Sequence, residues 1–194
     1  WEADLLLPRR NVQTGVVTAP RVGRVTIDFA SDTDAQLGWR FDARGTTGSE
    51  RIRPASFATG EPRFEVSGVW YPPAEAGYGA TVTRRGEVTA VVLYYYDAAG
   101  NIRWVLGSSN GADALQIPMS SFTGFCPDCN AAAMPVTFRP AGSVVVHFQT
   151  PTRARLDTTV TYPGAAGGSW NRQRAALVPL NDPVDNRAMV PVQP

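Results

Sequence analysis

The chain has 194 residues, of which 43% are hydrophobic and 18% are charged. That balance is typical of a folded domain with an apolar core and excludes a disordered chain. The formal net charge is +1, so the sequence lacks the basic excess of nucleic-acid-binding proteins and we expect no nucleic-acid partner. It has no run of about 18 apolar residues, so we expect no transmembrane segment.

Glycine and proline are both abundant, at 18 and 16 residues. This predicts many short elements joined by turns, as in β-sandwiches and barrels. Helices are not predicted, because no window of a dozen residues keeps apolar side chains at helical spacing without a glycine or proline inside it. The chain opens on Trp1 without an initiator methionine or a signal peptide, so we expect a processed chain or part of a longer polypeptide.

Alternating apolar and polar residues predict β-strands along the chain. The first clear example begins at Arg24, where Val25, Ile27 and Phe29 share one face. In chain order, the predicted strands cover residues 24–30, 37–41, 66 with 69–71, 80–83, 88–96, 102–106, 143–149 and 155–162. Such a series indicates an all-β fold.

Two turns join neighbouring strands of this series. The segment from Arg84 to Glu87 predicts a tight hairpin, and the segment from Asp97 to Asn101 predicts a longer hairpin loop in which Gly100 or Asn101 takes a positive φ. Hairpins connect antiparallel strands. We therefore predict a mainly antiparallel sandwich or barrel-like unit.

The sequence also contains an internal repeat. Residues 22–29 resemble residues 141–148 at an offset of 119, and residues 3–8 resemble residues 112–118 at an offset of about 109. The second copy therefore carries about ten extra residues between Gly124 and Gly142. Only the second copy has an opening half. We predict a half repeat over 1–60, a full repeat over 61–176, and a proline-rich arm or linker over 177–194 that cannot form a central strand.

The two cysteines, Cys126 and Cys129, form a C-x-x-C motif within the extra residues of the second copy. Such a pair can be a redox centre, half of a zinc site or a local disulfide. The sequence has no thioredoxin-like context, no second cysteine pair and a single histidine. We therefore favour a local disulfide of an exported protein, and we expect no metal and no cofactor.

Residues 67–104 have a characteristic pattern. They begin with S-G-V-W-Y-P-P, continue to G-Y-G, and end with Y-Y-D-A-A-G-N-I-R-W. This resembles a β-rich repeat of exported proteobacterial proteins, whose pattern is G-x-W-[WY]-x-P, then G-x-G, then Y-D-x-x-G-x-x-x-W. The resemblance covers about 110 residues, and the first 60 as a half copy. It implies an exported module, in the periplasm, at the outer cell surface or outside the cell, and it implies no activity.

Six aromatic residues of this segment are the candidate binding residues: Trp70, Tyr71, Tyr94, Tyr95, Tyr96 and Trp104. On one strand, Tyr94 and Tyr96 share a face and Tyr95 takes the other. The rings form either a core with cross-strand packing, or an exposed platform for a protein or a glycan. The second interpretation requires a row of exposed rings.

No residue pattern indicates catalysis. His147 is predicted on the polar face of a strand and lacks the surroundings of a catalytic triad. Asp97 is predicted to cap a turn, because the spacing of a calcium loop is missing. We therefore expect a non-catalytic structural or binding subunit of an extracellular or cell-envelope assembly, whose partners are other proteins or copies of itself. The alternatives are a carbohydrate- or surface-binding module of a larger exported protein, and a small exported enzyme.

Overall fold

The computed structural model describes residues 1–54, 65–75, 77–110, 114–124, 136–162 and 168–180. Within those ranges every regular element is a β-strand, which confirms the all-β prediction. The same ranges contain no helix with the length and apolarity needed to cross a membrane. The strands in chain order are β1 (Glu2–Leu6), β2 (Arg9–Arg10), β3 (Val17–Thr18), β4 (Arg21–Ser31), β5 (Asp34–Phe41), β6 (Thr47–Ile52), β7 (Gly68–Tyr71), β8 (Gly79–Arg85), β9 (Val88–Tyr96), β10 (Ile102–Asn110), β11 (Ala114–Thr123), β12 (Thr137–Thr150), β13 (Arg153–Tyr162) and β14 (Gly168–Pro179).

The chain divides into two compact units. The first comprises Trp1–Ser56 with Thr123–Thr137, and the second comprises Phe57–Phe122 with Phe138–Pro194. Strands β7 to β14, which supply the second unit, form a closed eight-stranded barrel. Consecutive strands are neighbours, β14 returns to pair with β7, and the pairings are antiparallel. Each strand therefore has a paired neighbour on both sides, and β14 meets β7 over Val178 and Pro179.

Side chains alternate between the two sides of the barrel wall, and those that point inward fill the barrel. On β9, Val91, Leu93 and Tyr95 are buried, and the residues between them face outward. Trp70 on β7 is also buried. Its polar indole Nε1 is satisfied there, because it donates to the Val66 carbonyl at 2.9 Å. Its partners belong to a core supplied by all eight strands, so the interior is a packed apolar core.

The last strand is longer than predicted. Val178 lies opposite Tyr71, and Pro179 lies opposite Trp70. The prediction that the stretch after residue 176 cannot form a central strand is therefore wrong for these residues. Pro179 is accepted because it is the last residue of its strand, and the hydrogen bonding to β7 continues past it: the Leu180 N–H donates to the Val69 carbonyl at 2.7 Å. Residues 181–194 lie outside the described part of the chain.

The first unit contains a four-stranded sheet in the order β1-β4-β5-β6 and a separate ribbon of β2 and β3. One face of the sheet is mainly apolar and includes Val25, Ile27 and Leu37, with the exposed Glu50 opposite Leu37 as its charged residue. The other face carries ion pairs, among them Arg24 with Glu2. Antiparallel sheets with one apolar and one charged face commonly pack the apolar face on a core and leave the charged face in water.

The hairpin of β4 and β5 corresponds to the hairpin of β12 and β13. Gly23 lies opposite Phe41, and Gly142 lies opposite Val160, at the offset of 119 residues that the sequence indicates. A Cβ atom at either glycine would come within 2.1 Å or 1.8 Å of a carbonyl oxygen of the paired strand. Both hairpins therefore need glycine for the same close approach of two backbones.

The correspondence extends to the other strands of the sheet. Both hairpins change register shortly before the turn, after Phe29 in one and after Phe148 in the other. β1 lies beside β4 as β11 lies beside β12, and β6 follows β5 as β14 follows β13. The sheet of the first unit thus matches the closing half of the barrel, β11 to β14, in strand order and in the register of its hairpin.

Candidate functional site

The barrel wall divides the six predicted binding residues between its two sides. Trp70 and Tyr95 are each 1% exposed and point inward. The residues that point outward are Tyr71, Tyr94, Tyr96 and Trp104. Neighbouring residues of a strand face opposite sides, so Tyr95 cannot share a surface with Tyr94 or Tyr96. We therefore remove Trp70 and Tyr95 from the candidate surface.

Three of the outward rings belong to a longer row, which we call the aromatic belt: Tyr71, Tyr94, Trp104, Phe122 and Phe138. Tyr94 and Trp104 are direct partners across β9 and β10. The Trp104 ring stacks on Phe122 with centroids 5.5 Å apart and planes 10° apart. Phe122 meets Phe138 at 6.3 Å. The belt therefore crosses strands β9 to β12 with its rings in contact from Trp104 onward.

Gly79 separates the first two rings of the belt. It lies opposite Tyr94 on β9, and it adjoins the pair of Trp70 with Ala80 on β7 and β8. A Cβ atom at position 79 would come 2.9 Å from the Trp70 carbonyl oxygen, so this close strand approach requires glycine. The consequence is a gap with no side chain between Tyr71 and Tyr94.

The predicted strands do not include β11, so Phe122 and Phe138 are not among the predicted binding residues. Pro118 lies inside that strand and argues against a central strand on sequence grounds. The signal that could have identified β11 is the alternation of buried Ile117 and Met119 with outward Ser120 and Phe122 around them. Phe138 lies two residues before another proline, which obscures its strand in the same way.

The belt is part of a larger apolar area. Phe138 is 69% exposed and Trp104 is 46% exposed. Val69 and Ile102 are also exposed on the outer side of the barrel, and Tyr96 lies opposite Ile102. Contiguous exposed apolar surface of this kind marks interaction sites more often than isolated exposed residues do.

The outer side of β13 has the opposite character. Its outward residues include Arg155, Thr159 and Thr161, all exposed. On the adjoining β14, Ser169 and Asn171 are exposed. The exterior of the barrel is therefore two-faced, aromatic along β9 to β12 and polar along β13 and β14.

Inside the barrel, Tyr95 is held by two ring contacts. It stacks on Trp170 with centroids 5.1 Å apart and meets Tyr162 at 6.0 Å. The guanidinium of Arg172 lies 4.9 Å from the centre of the Trp170 ring, a cation–π arrangement. Burial, with a smaller contribution from Tyr162, raises the pKa of Tyr95 to about 12. This phenol is therefore neutral at physiological pH, and its contacts are those of a packing residue.

The turn between β9 and β10 is organised by Asp97, whose side chain is fully buried. The backbone N–H groups of Ala99 and Asn101 each donate to Asp97 Oδ1 at 2.9 Å, and Arg103 Nε donates to Oδ2 at 2.8 Å. Gly100 has the predicted positive φ, at 78°. The prediction that Asp97 caps this turn is confirmed. Burial raises the pKa of Asp97, but the hydrogen bonds from Asn101, Arg103 and Ala99 together outweigh it and hold the pKa below the usual value of an aspartate.

This turn gives a testable acid dependence. A carboxyl whose pKa is lower in the folded than in the unfolded chain stabilises the fold above the unfolded value, and that contribution is lost as the pH falls through the folded pKa. We expect Asp97→Asn to lower the free energy of unfolding by about 1–3 kcal/mol at pH 7. We expect the difference from wild type to shrink below about pH 4. Urea unfolding at several pH values measures both, and the exposed Glu87→Gln is the matched control; a difference that is constant with pH would contradict this role.

The remaining candidate residues do not gather into a chemical site. His147 is exposed on the outer face of β12, opposite Arg155. In the ranges that the structure describes, no three His, Cys, Asp or Glu side chains cluster as metal ligands do. Cys126 and Cys129 lie outside the described residues.

Comparisons with protein-family models, with curated proteins and with solved structures find no match to this chain. Function is therefore inferred from the aromatic belt and from the chemistry of its side chains.

Proposed function

We propose that this protein is a non-catalytic subunit of an extracellular or cell-envelope assembly, and that the aromatic belt is its contact surface with a neighbouring copy of the chain. The observation that carries the proposal is the two-faced exterior of the barrel, aromatic along β9 to β12 and polar along β13 and β14. The exported location rests on the resemblance of residues 67–104 and on the cysteine pair.

The belt has the side-chain chemistry of an interface centre. Tyr and Trp rings bury a large area with few rotatable bonds, and they dominate the energetics of measured interfaces. Burying one such ring completely is worth about 1.5–3 kcal/mol. Tyr94 and Trp104 lie side by side and are each about 40% exposed or more, so a partner that covers both removes a substantial apolar area from water.

A second copy of the chain is the occupant that the charges favour. The formal net charge of +1 opposes association of two copies only weakly. An apolar patch is also complementary to itself, which is what a two-fold symmetric contact requires. A strongly charged partner would find few counter-charges on the belt, since its residues are uncharged.

A carbohydrate-binding module is the second candidate. It is favoured by the exposed rings of Tyr71 and Tyr94 with the gap of Gly79 between them, because sugar rings stack on aromatic faces. The stacking of Trp104 on Phe122 argues against it. A sugar that stacked on that face of Trp104 would have to displace Phe122, whereas a protein surface can pack against the pair as it stands.

The native mass of the purified chain tests the proposal. Light scattering is expected to give a multiple of 20.9 kDa. Trp104→Arg is expected to raise the dissociation constant by about a hundredfold, because it places a charge in the centre of the contact. Thr159→Arg, an equivalent change on the polar side, is the control and is expected to leave the mass unchanged. A wild-type chain that is monomeric at every concentration contradicts the proposal, and binding of that monomer to a polysaccharide would support the second candidate.

A further inference from the structure

We infer that the apolar face of the β1-β4-β5-β6 sheet is a docking site for a four-stranded antiparallel segment of the type formed by β7 to β10, with an inward tryptophan on its first strand. The aromatic belt plays no part in this inference. Its basis is that this sheet matches β11 to β14, which share a core with β7 to β10 in the barrel, whereas the aromatic ring of Phe29 on the sheet is exposed.

Equivalent residues of the two halves differ in burial. Phe29 on β4 corresponds to Phe148 on β12 at the offset of 119 residues, and Phe29 is 71% exposed whereas Phe148 is 8% exposed. Leu37 is half-buried, whereas its equivalent Leu156 is 0% exposed. At these two positions the residue is more enclosed in the barrel than in the four-stranded sheet, whereas Ala35 and its equivalent Ala154 are buried in both, at 7% and 2% exposure.

The barrel identifies what covers this face. In the barrel, Phe148 meets the ring of Trp70 edge-on at 5.5 Å, and Trp70 lies on β7, the first strand of the opening half. Strands β7 to β10 complete the interior on which β11 to β14 pack. An occupant of the four-stranded sheet should therefore carry an inward tryptophan on its first strand and alternating apolar residues on the other three.

The edge of the sheet offers hydrogen-bonding groups to such an occupant. Trp1 and Ile27 exchange both backbone hydrogen bonds, at 3.0 and 2.8 Å. Bonding alternates along an antiparallel pair, so the N–H groups of Glu2 and Asp4 point away from β4. On the equivalent side of the barrel, β11 pairs with β10, with Ser120 opposite Leu106. In the described residues β1 and β6 are the two ends of the sheet, and an opening half would pair with both.

The opposite face of the sheet carries charged, solvent-exposed side chains. Arg24 pairs with Glu2, and Arg51 pairs with Asp34 through two hydrogen bonds. Charged pairs of this kind belong on a solvated surface. The charged face is therefore the solvent-facing side of the sheet. The apolar face corresponds to the side of β11 to β14 that lines the barrel interior.

Hydrogen exchange with mass spectrometry tests this site on the full 194-residue chain. The probe is a polypeptide of residues 65–110 of this sequence, carried on a soluble fusion. A saturating amount is expected to slow exchange in residues 2–6 and 47–52 by about tenfold or more, with β13 unchanged. The probe with Trp70→Ala is expected to bind at least about tenfold more weakly, since it lacks the ring that covers the equivalent of Phe29.

Matched variants of the receptor chain separate docking from unfolding. Phe29→Asp is expected to abolish the protection, whereas Gln36→Asp, on the charged face of the same sheet, is expected to retain it. Trp104→Arg, which disrupts the belt, is also expected to retain it, so failure of the proposed function and failure of this inference are distinguishable. The inference is overturned if the saturating probe leaves exchange in β1 and β6 unchanged. It is also overturned if these strands are already protected by self-association without the probe, because the occupant is then a second copy of the chain.

Discussion

Replacing Tyr95 with alanine is expected to lower the free energy of unfolding of the barrel by about 3–5 kcal/mol. The ring is 1% exposed, stacks on Trp170 and meets Tyr162, so its removal leaves a cavity in a closed interior that cannot collapse easily. Urea unfolding followed by circular dichroism measures the change. If the unfolding free energy falls with urea concentration at the same slope in both proteins, a lower midpoint concentration reflects a loss of stability alone.

The matched control is the adjacent residue of the same type. Tyr94 points outward and is 40% exposed, so Tyr94→Ala is expected to change the free energy of unfolding by less than about 1 kcal/mol. Equal losses for the two variants would contradict the inward and outward assignment of β9. They would also remove Tyr94 from the belt, because a residue that stabilises the monomer so strongly is a core residue.

Gly142→Ala is expected to cost about 2–4 kcal/mol of stability. Gly142 has a φ of 98°, and a Cβ atom there would lie 1.8 Å from the Thr159 carbonyl oxygen. Both the backbone conformation and the close approach of β12 to β13 would have to change. Thermal unfolding of the purified variant measures the loss.

Gly68→Ala separates the two causes. Gly68 also has a positive φ, at 143°, but a Cβ atom there meets nothing within 4 Å. Its replacement is expected to cost only about 1 kcal/mol. If both variants lose the same stability, the close approach of β12 to β13 is not the reason for glycine at 142, and the equivalence with Gly23 loses its physical basis.

Much of the fold could be predicted from local pattern. The alternation along β9 identifies its two faces, and the residues from Asp97 to Asn101 carry the chemistry of their turn in their own side chains. The repeat can be recognised in the sequence partly because Gly23 and Gly142 occupy equivalent positions, where two strands approach too closely for a larger residue. Closure into a barrel could not be predicted in this way, since alternation identifies strands but not the strand that pairs with the last one. The segment that closes it contains Pro179, which argued against a strand.

The candidate site was harder to predict than the fold. Tyr71, Tyr94 and Trp104 were recognised because they are dense in the sequence. Their separation from Trp70 and Tyr95 follows from alternation, but their alignment in one row depends on the register of β7 to β10. Phe122 and Phe138 were missed because no strand was predicted over them, and because the stacking of Phe122 on Trp104 joins residues that are distant in the chain. A surface that depends on cross-strand register can be identified only once the pairing of the strands is known.

Oxidative footprinting of the native, undissociated material tests the central claim most directly. Trp104 and Tyr94 are expected to be oxidised several-fold more slowly in the assembly than in the dissociated, folded chain, because a neighbouring copy covers the belt. His147, exposed on β12 and outside the belt, is expected to react equally in both. Equal oxidation of Trp104 and Tyr94 in the two states would contradict the account, since the belt would then be open to water in the assembly.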